Sequence, residues 1–294
     1  MMHKPAIFAA AAIGFIVASP THVDPVHGDE LDLCKYRLYW SDEFDDLSIG
    51  AWLLNGKRWI AHTPWAGDFG DATFIDPGPN GPFSLEDGKL VITARRDKKG
   101  KWTSGLISSN DQASAGAALQ YGYFEARMRV SPGPGTWPAF WLYNRASRND
   151  PRVGFEIDVM EYYGHDPASY FTTWHVYQTE LSGGEDTGGV AQIPIENGTF
   201  TQNFHTIGVD VTKDEVTYYF DRKVVWQHPT PREHDAPLFP LVNLALGSGY
   251  SIEDTPNPSR LEVDYVRLYE PKKQNESMQC VIPGDADNTE KGGD

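Results

Sequence analysis

Gly154-Phe155-Glu156-Ile157-Asp158-Val159-Met160-Glu161-Tyr162 places three carboxylates within six residues, set among Phe, Ile, Val, Met and Tyr. Those neighbours favour extended structure, and side chains along a strand alternate between its two faces. Glu156 and Asp158 therefore share one face, with Ile157 and Val159 on the other. A regular strand would turn Glu161 onto the apolar face, where an unpartnered charge is costly. One extra residue near Val159 or Met160, a β-bulge, returns Glu161 to the side of Glu156 and Asp158. The expected product is a row of three carboxylates on one sheet face, which suits acid/base chemistry.

Outward from this stretch, about Cys34 to Tyr269 reads as short alternating runs separated by Gly, Pro, Asn and Asp. In Gly122 to Val130, Phe124, Ala126, Met128 and Val130 share one face, and Tyr123, Glu125, Arg127 and Arg129 the other. Asp87-Gly88 and Asp221-Arg222-Lys223 sit between such runs as hairpin turns. Sustained helical periodicity is lacking outside the N-terminus. The reading is all-β: an antiparallel sandwich or jelly roll of two packed sheets. Two stretches read as long loops, Asn55 to Gly81 and Thr179 to Thr199, and long loops on a rigid sandwich often border a binding site.

A chain of 294 residues, 40% hydrophobic, can bury one large core. Its formal charge of −16 argues against a nucleic-acid partner, which needs basic surface to neutralise phosphates. Nine Trp, 14 Tyr and 14 Phe supply core, and also the flat rings that stack on pyranose C–H faces. Residues 1–19 read as a secretion signal: His3 and Lys4, an apolar run from Ala6 to Val17, then Ala18 and Ser19. That run is too short to span a bilayer comfortably. Residues 20–33 read as an acidic lead-in, residues 34–280 as one domain, and 281–294 as a disordered tail. In an exported protein, the two cysteines Cys34 and Cys280 favour a disulfide tying the ends of the domain together, with two buried thiols as the alternative. Asn197 and Asn275 each begin a glycosylation acceptor triplet.

Glycoside hydrolysis needs a pair of carboxyls, one acting as acid/base and one as nucleophile or base. Glu156 and Glu161, with Asp158 between them, offer that pair, and like charges so close titrate as a unit. Glu156-Ile157-Asp158-Val159-Met160-Glu161 resembles the E-x-D-x-x-E signature of glycoside hydrolase family 16. Further stretches fit that family in order. Thr136-Trp137-Pro138-Ala139-Phe140-Trp141-Leu142 is similar to its W-P-A-F-W strand. Phe204-His205-Thr206-Ile207 with Tyr218-Tyr219-Phe220-Asp221 resembles its F-H…Y-Y-x-D-G hairpin, Arg222 replacing the usual Gly. Leu241 to Gly247 and Val263 to Tyr269 resemble its closing strands.

The resemblance covers roughly residues 38–270. It implies a jelly roll with a concave cleft and retaining endo-hydrolysis of a β-linked polysaccharide, most simply a β-1,3 or mixed β-1,3/1,4-glucan. By position it makes Glu156 the nucleophile, Asp158 its assisting carboxylate and Glu161 the acid/base. The longer spacing after Asp158 goes with laminarinase-like and galactanase-like members, so a galactan hydrolase of the agarase or carrageenase type and a non-catalytic glucan-binding lectin are the alternatives. His62 to Ala72 also resembles bacterial members that cut exopolysaccharides. Trp137, Trp141, His175, Trp65, Asn55 and Asn243 are the expected sugar contacts, each also readable as an ordinary strand or core residue. The family pattern further implies a structural calcium ion, away from the chemistry, at Glu43, the backbone of Gly88 and Asp264; catalysis needs no cofactor. The expected partner is the polysaccharide alone, met by a secreted monomer, with no nucleic acid and no membrane.

Overall fold

The computed structural model describes residues 30–65, 67–144, 153–178 and 184–273. Its strands, in chain order, begin with β1 (Tyr36–Asp42), β2 (Ile49–Gly50), β3 (Trp59–Ile60), β4 (Thr73–Phe74), β5 (Phe83–Glu86) and β6 (Lys89–Arg96). Then come β7 (Trp102–Ser104), β8 (Leu106–Ser108), β9 (Gly122–Val130), β10 (Thr136–Asn144), β11 (Val153–Glu161) and β12 (Ser169–Gln178). The last are β13 (Thr187–Pro194), β14 (His205–Val211), β15 (Glu215–Phe220), β16 (Lys223–Pro229), β17 (Leu238–Leu246) and β18 (Ser259–Pro271). Helix among the described residues is confined to single turns at Leu33–Lys35 and Thr199–Gln202, so no helix there is long and apolar enough to cross a membrane.

Two sheets pack face to face, as in a jelly roll. One runs β16-β15-β14-β9-β18-β6-β7-β4, with β1 added to β18 and β5 to β6; the other runs β13-β12-β11-β10-β17-β8-β3-β2. The pairings are antiparallel apart from two short parallel contacts at the sheet margins, β2 with β3 and β4 with β7. The alternation in β9 places Phe124, Ala126, Met128 and Val130 in the core, facing Phe140 and Leu142 of β10 and Phe155, Ile157, Val159 and Met160 of β11. Burial of this kind is worth about 1.5–3 kcal/mol for each large apolar side chain.

Two expectations change. Part of the Thr179 to Thr199 stretch is strand: β13 pairs with β12 along eight positions, burying Ala191 and Ile193. Gly188 and Gly189 hid its pattern. A Cβ at Gly188 would lie 2.6 Å from the Trp174 carbonyl oxygen, and one at Gly189 2.5 Å from the Trp174 indole nitrogen. The lead-in also belongs to the fold from Glu30 onward. The Leu31 amide donates to the Arg222 carbonyl at 2.9 Å, and Leu31 and Leu33 cover Tyr123, Tyr219 and Tyr269 on the outer face of the first sheet. Tyr123 and Glu125, on the face opposite Phe124, are fully buried, the first under Leu33 and the second against Arg222 and Tyr269. The signal, the tail, Asn275 and Cys280, with its expected bond to Cys34, lie outside the described residues. Asn197 is exposed.

Both expected hairpins form. Asp87 and Gly88 have φ of 50° and 69°, and Asp221 and Arg222 have 47° and 62°, the paired positive values of a tight antiparallel turn. Glycine would adopt the second position without strain; here Arg222 adopts it and is held by the buried Glu125, which accepts from its Nε at 3.2 Å and Nη2 at 3.0 Å. Glu125→Ala removes the carboxylate balancing that guanidinium and is expected to cost about 3–5 kcal/mol in urea unfolding. Arg222→Gly added to it restores part of the loss, since glycine suits the turn and carries no charge. A Glu125→Ala variant within about 0.5 kcal/mol of the parent contradicts this.

Candidate active site

In β11 the pairing with β10 runs Tyr143 with Glu156, Leu142 with Ile157 and Trp141 with Asp158, then jumps to Phe140 with Met160 and Ala139 with Glu161. Val159 is the extra residue. The pairing with β12 shifts at the same place, between Asp158 with Thr173 and Glu161 with Phe171. Val159 and Met160 both point into the core, at 1% and 0% exposure, so Glu161 returns to the face of Glu156 and Asp158. That is the bulge expected from the sequence, and it puts the three acids on the outer face of the second sheet.

One half of that face is roofed. Phe69 and Phe74, from the stretch between β3 and β5, pack with Trp137, Trp141, Phe239, Leu241 and Ala245 over β10 and β17. The other half, over β11 and β12, carries the acids and His175, and the boundary between the two halves forms a cleft wall. His62 stiffens the roof, with its ring stacked on Trp52 at 3.8 Å and Nε2 2.7 Å from Asp76 Oδ1.

Each glutamate in the row has one oxygen tied down. The Trp137 indole and the Tyr163 hydroxyl both donate to Glu161 Oε1, each at 3.0 Å. The Tyr177 hydroxyl donates to Glu156 Oε1 at 3.1 Å. His175 Nε2 lies 3.4 Å from Asp158 Oδ2. Burial is the first cause raising all three carboxyls. It lifts Glu156, aided by the Asp158 charge and opposed by His175, Glu161 adding to the rise and the Tyr177 bond opposing it, to about 8. Asp158 is raised by burial and then by the Glu161 charge. Glu161 is raised by burial, against the Trp137 and Tyr163 donors that favour its anion. Burial and mutual repulsion thus favour the protonated form along the row. Asp158, the most deeply buried of the three at 6% exposure, is the natural place for a proton, and once neutral it no longer repels charge on Glu156.

The remaining expected contacts divide. Trp65 joins the site: it is 43% exposed, 4.6 Å from the Tyr143 ring and 6.2 Å from Trp141. Trp137 and His175 touch the acids directly. Trp141 is buried beneath Trp65 and Phe69, and its indole donates to Asn243 Oδ1 at 2.8 Å. Asn243 is fully buried, its amide 3.4 Å from the Trp137 carbonyl, so it braces the two tryptophans and is not a sugar contact. Asn55 is an exposed residue of the turn before β3; β8, β17 and β10 separate β3 from β11, roughly 19 Å at the usual strand spacing. Tyr163 and Tyr177 were not foreseen. Tyr177 was legible, being two positions after His175 on the same strand face.

The expected calcium positions are ion-paired. Glu43 receives Arg267 through Nε at 2.9 Å and Nη2 at 2.7 Å, and Asp264 receives Arg127 at 2.5 Å with Lys89 at 3.9 Å. Each carboxylate is already balanced by a cation, so as arranged this set does not fit a calcium cage. Among the described residues, the group whose ligand atoms approach within 4.8 Å of one another is Glu156, Asp158 and His175, part of the acidic row itself.

Comparison with known proteins agrees with this geometry. The profile of Glycosyl hydrolases family 16 matches residues 79–267. Endo-1,3-1,4-beta-glycanase EglC of Rhizobium meliloti (strain 1021) is 29% identical over 87% of this chain and 57% of its own length. Endo-1,3-1,4-beta-glycanase ExsH of the same organism is 30% identical over 82% of this chain and 55% of its own. The chain thus spans little more than half the length of these two relatives. Among solved structures, the catalytic domain of an endo-1,3-beta-glucanase (laminarinase) from Thermotoga petrophila RKU-1 superposes with a TM-score of 0.63 at 28% identity, covering 81% of this chain and 99% of that one. The chain belongs to glycosyl hydrolases family 16.

Proposed function

We propose that this chain cleaves internal linkages of a β-1,3- or mixed β-1,3/1,4-glucan with retention of anomeric configuration, as a monomer exported by residues 1–19. The observation that carries the reading is the bulge at Val159, which sets Glu156 and Glu161 on one face with Asp158 between them. The endo-1,3-1,4-glycanase and laminarinase relatives support the substrate class. The negative net charge and an uncharged aromatic wall of Trp65 and Tyr143 suit a neutral glucan better than a sulfated galactan.

In this mechanism Glu161, its Oε1 held by two donors, presents Oε2 and its proton to the glycosidic oxygen. Glu156 attacks C1 through its untethered oxygen as the C1–O bond breaks, so the leaving sugar departs as an alcohol and a glycosyl ester remains on Glu156. Glu161, now anionic, takes a proton from water as that water attacks C1, which frees Glu156 and restores the acid. Protonated Asp158 would donate to Glu156 and spread its charge. The rise at Glu161 suits a general acid, which must keep its proton, while Glu156 attacks only in its ionised form.

Incubation of the protein with laminarin, lichenan and agar tests the reading. Oligosaccharides are expected from the glucans and none from agar; release from agar alone would favour a galactan hydrolase, and binding without release a lectin. Glu156→Gln and Glu161→Gln are each expected to lower kcat by about 10³-fold or more, and azide to restore part of the activity of Glu161→Ala. Full activity in either Gln variant rules out the assignment.

A second prediction concerns stability. The folded pKa of Glu156, about 8, lies above the ordinary 4.5, so its stabilising contribution is complete below that ordinary value and is lost as pH rises through about 8. Glu156→Gln removes the loss. Its Tm should exceed the parent's at pH 9, by about 2–4 °C per kcal/mol relieved, and the excess should vanish near pH 4. A difference independent of pH contradicts the raised pKa.

A further inference from the structure

Tyr177 is a diagonal cross-strand neighbour of the proposed nucleophile, within reach of an aromatic side chain. The register pairs Glu156 with His175 and Gly154 with Tyr177, so the phenol reaches Glu156 on the diagonal. Gly154, opposite Tyr177, makes room for the Tyr143 hydroxyl and leaves Tyr177 in ordinary contact. A Cβ there would lie 2.6 Å from the Tyr143 hydroxyl and 3.5 Å from Tyr177 Cβ. On its other side the Tyr177 ring stacks on His175, centroids 5.4 Å apart and planes 14° from parallel, and His175 in turn faces Asp158. The ring is thus held against the imidazole, with its hydroxyl 3.1 Å from Glu156 Oε1.

We propose that Tyr177 is a positioning residue for Glu156: its hydroxyl holds Oε1, leaves Oε2 as the attacking oxygen, and favours the anion over the acid. This deepens the glycosidase reading and rests on it. The phenol itself stays protonated at any working pH, because burial and then the charge on Glu156 oppose its ionisation. A donor aimed at one oxygen favours the anion over the acid, and an oxygen engaged in a hydrogen bond is the poorer nucleophile of the two. When water later displaces the glycosyl ester, the same hydroxyl donates to the ester carbonyl and stabilises the carboxylate as it departs. Tyr163 and Trp137 hold Glu161 in the corresponding way, so the two glutamates are clamped by different elements.

The test is Tyr177→Phe, which keeps the ring and its stacking on His175. A hydrogen bond to a charged group is worth about 1.5–3 kcal/mol, which corresponds to about 1–2 pH units and to at least a tenfold change in rate. The acid limb of kcat/KM against pH should move upward by about one unit or more, kcat should fall about tenfold, and KM should change little. Unchanged kcat, or a fall in kcat with the acid limb unmoved, overturns the proposal, because a merely structural role would not shift that limb. The titration of Glu156, followed by carbon NMR of labelled glutamate against Glu156→Gln as reference, gives the same answer without turnover. Its pKa should rise in Tyr177→Phe, and an unmoved pKa overturns the proposal. If the parent releases no sugar from any glucan, the glycosidase reading fails while this titration still decides what Tyr177 does to Glu156.

Discussion

The site depends on a single unpaired residue. Val159 has no partner in either neighbouring strand, and both it and Met160 face the core. Without the extra position the strand's period of two would turn Glu161 inward among Phe140, Leu142 and Phe155, where a carboxylate has no donors. With it, Glu161 meets the Trp137 indole and the Tyr163 hydroxyl. The bulge is stable because the core accepts two apolar side chains in succession and because β10 and β12 both shift register at that point.

A second constraint is that the acids are crowded and dry enough to hold protons, yet individually anchored. Burial dominates the rise at all three, but each differs in what opposes it. Asp158 has His175 near its carboxyl, at 3.4 Å; Glu161 has two hydrogen-bond donors on one oxygen; Glu156 has one. Those differences in environment, not in residue type, are what would separate the proposed roles of two glutamates five positions apart in sequence. The roof of Phe69, Phe74 and Trp65 over β10 and β17 confines access to the half of the sheet where the acids lie.

Much of this was legible in the chain itself. The alternation in Gly122 to Val130 and the spacing of Glu156, Asp158 and Glu161 depend on strand periodicity, a local property, and both hairpin turns carry their own φ preferences. What escaped was set by packing between distant segments. The strand β13 was masked by Gly188 and Gly189, whose absent side chains serve Trp174 and not the alternation. The burial of the face of Tyr123 escaped because Leu31 and Leu33, which pack on that tyrosine, precede it by some ninety residues. Asn243 was read as a sugar contact because its residue type suits one, whereas the sheet buries it under Trp141. Glu43 and Asp264 were matched by position to a cation site, while Arg267 and Arg127, remote in sequence from their partners, already occupy their oxygens.

The central claim is that Glu156 on the bulged strand becomes covalently bonded to the sugar. Inactivation with an activated 2-deoxy-2-fluoro β-glucosyl oligosaccharide, followed by peptide mass analysis, tests it most directly. One glycosyl group per chain is expected, on Glu156. Label on Glu161 or Asp158, or rapid glucan cleavage with inversion and no trapped ester, would contradict it.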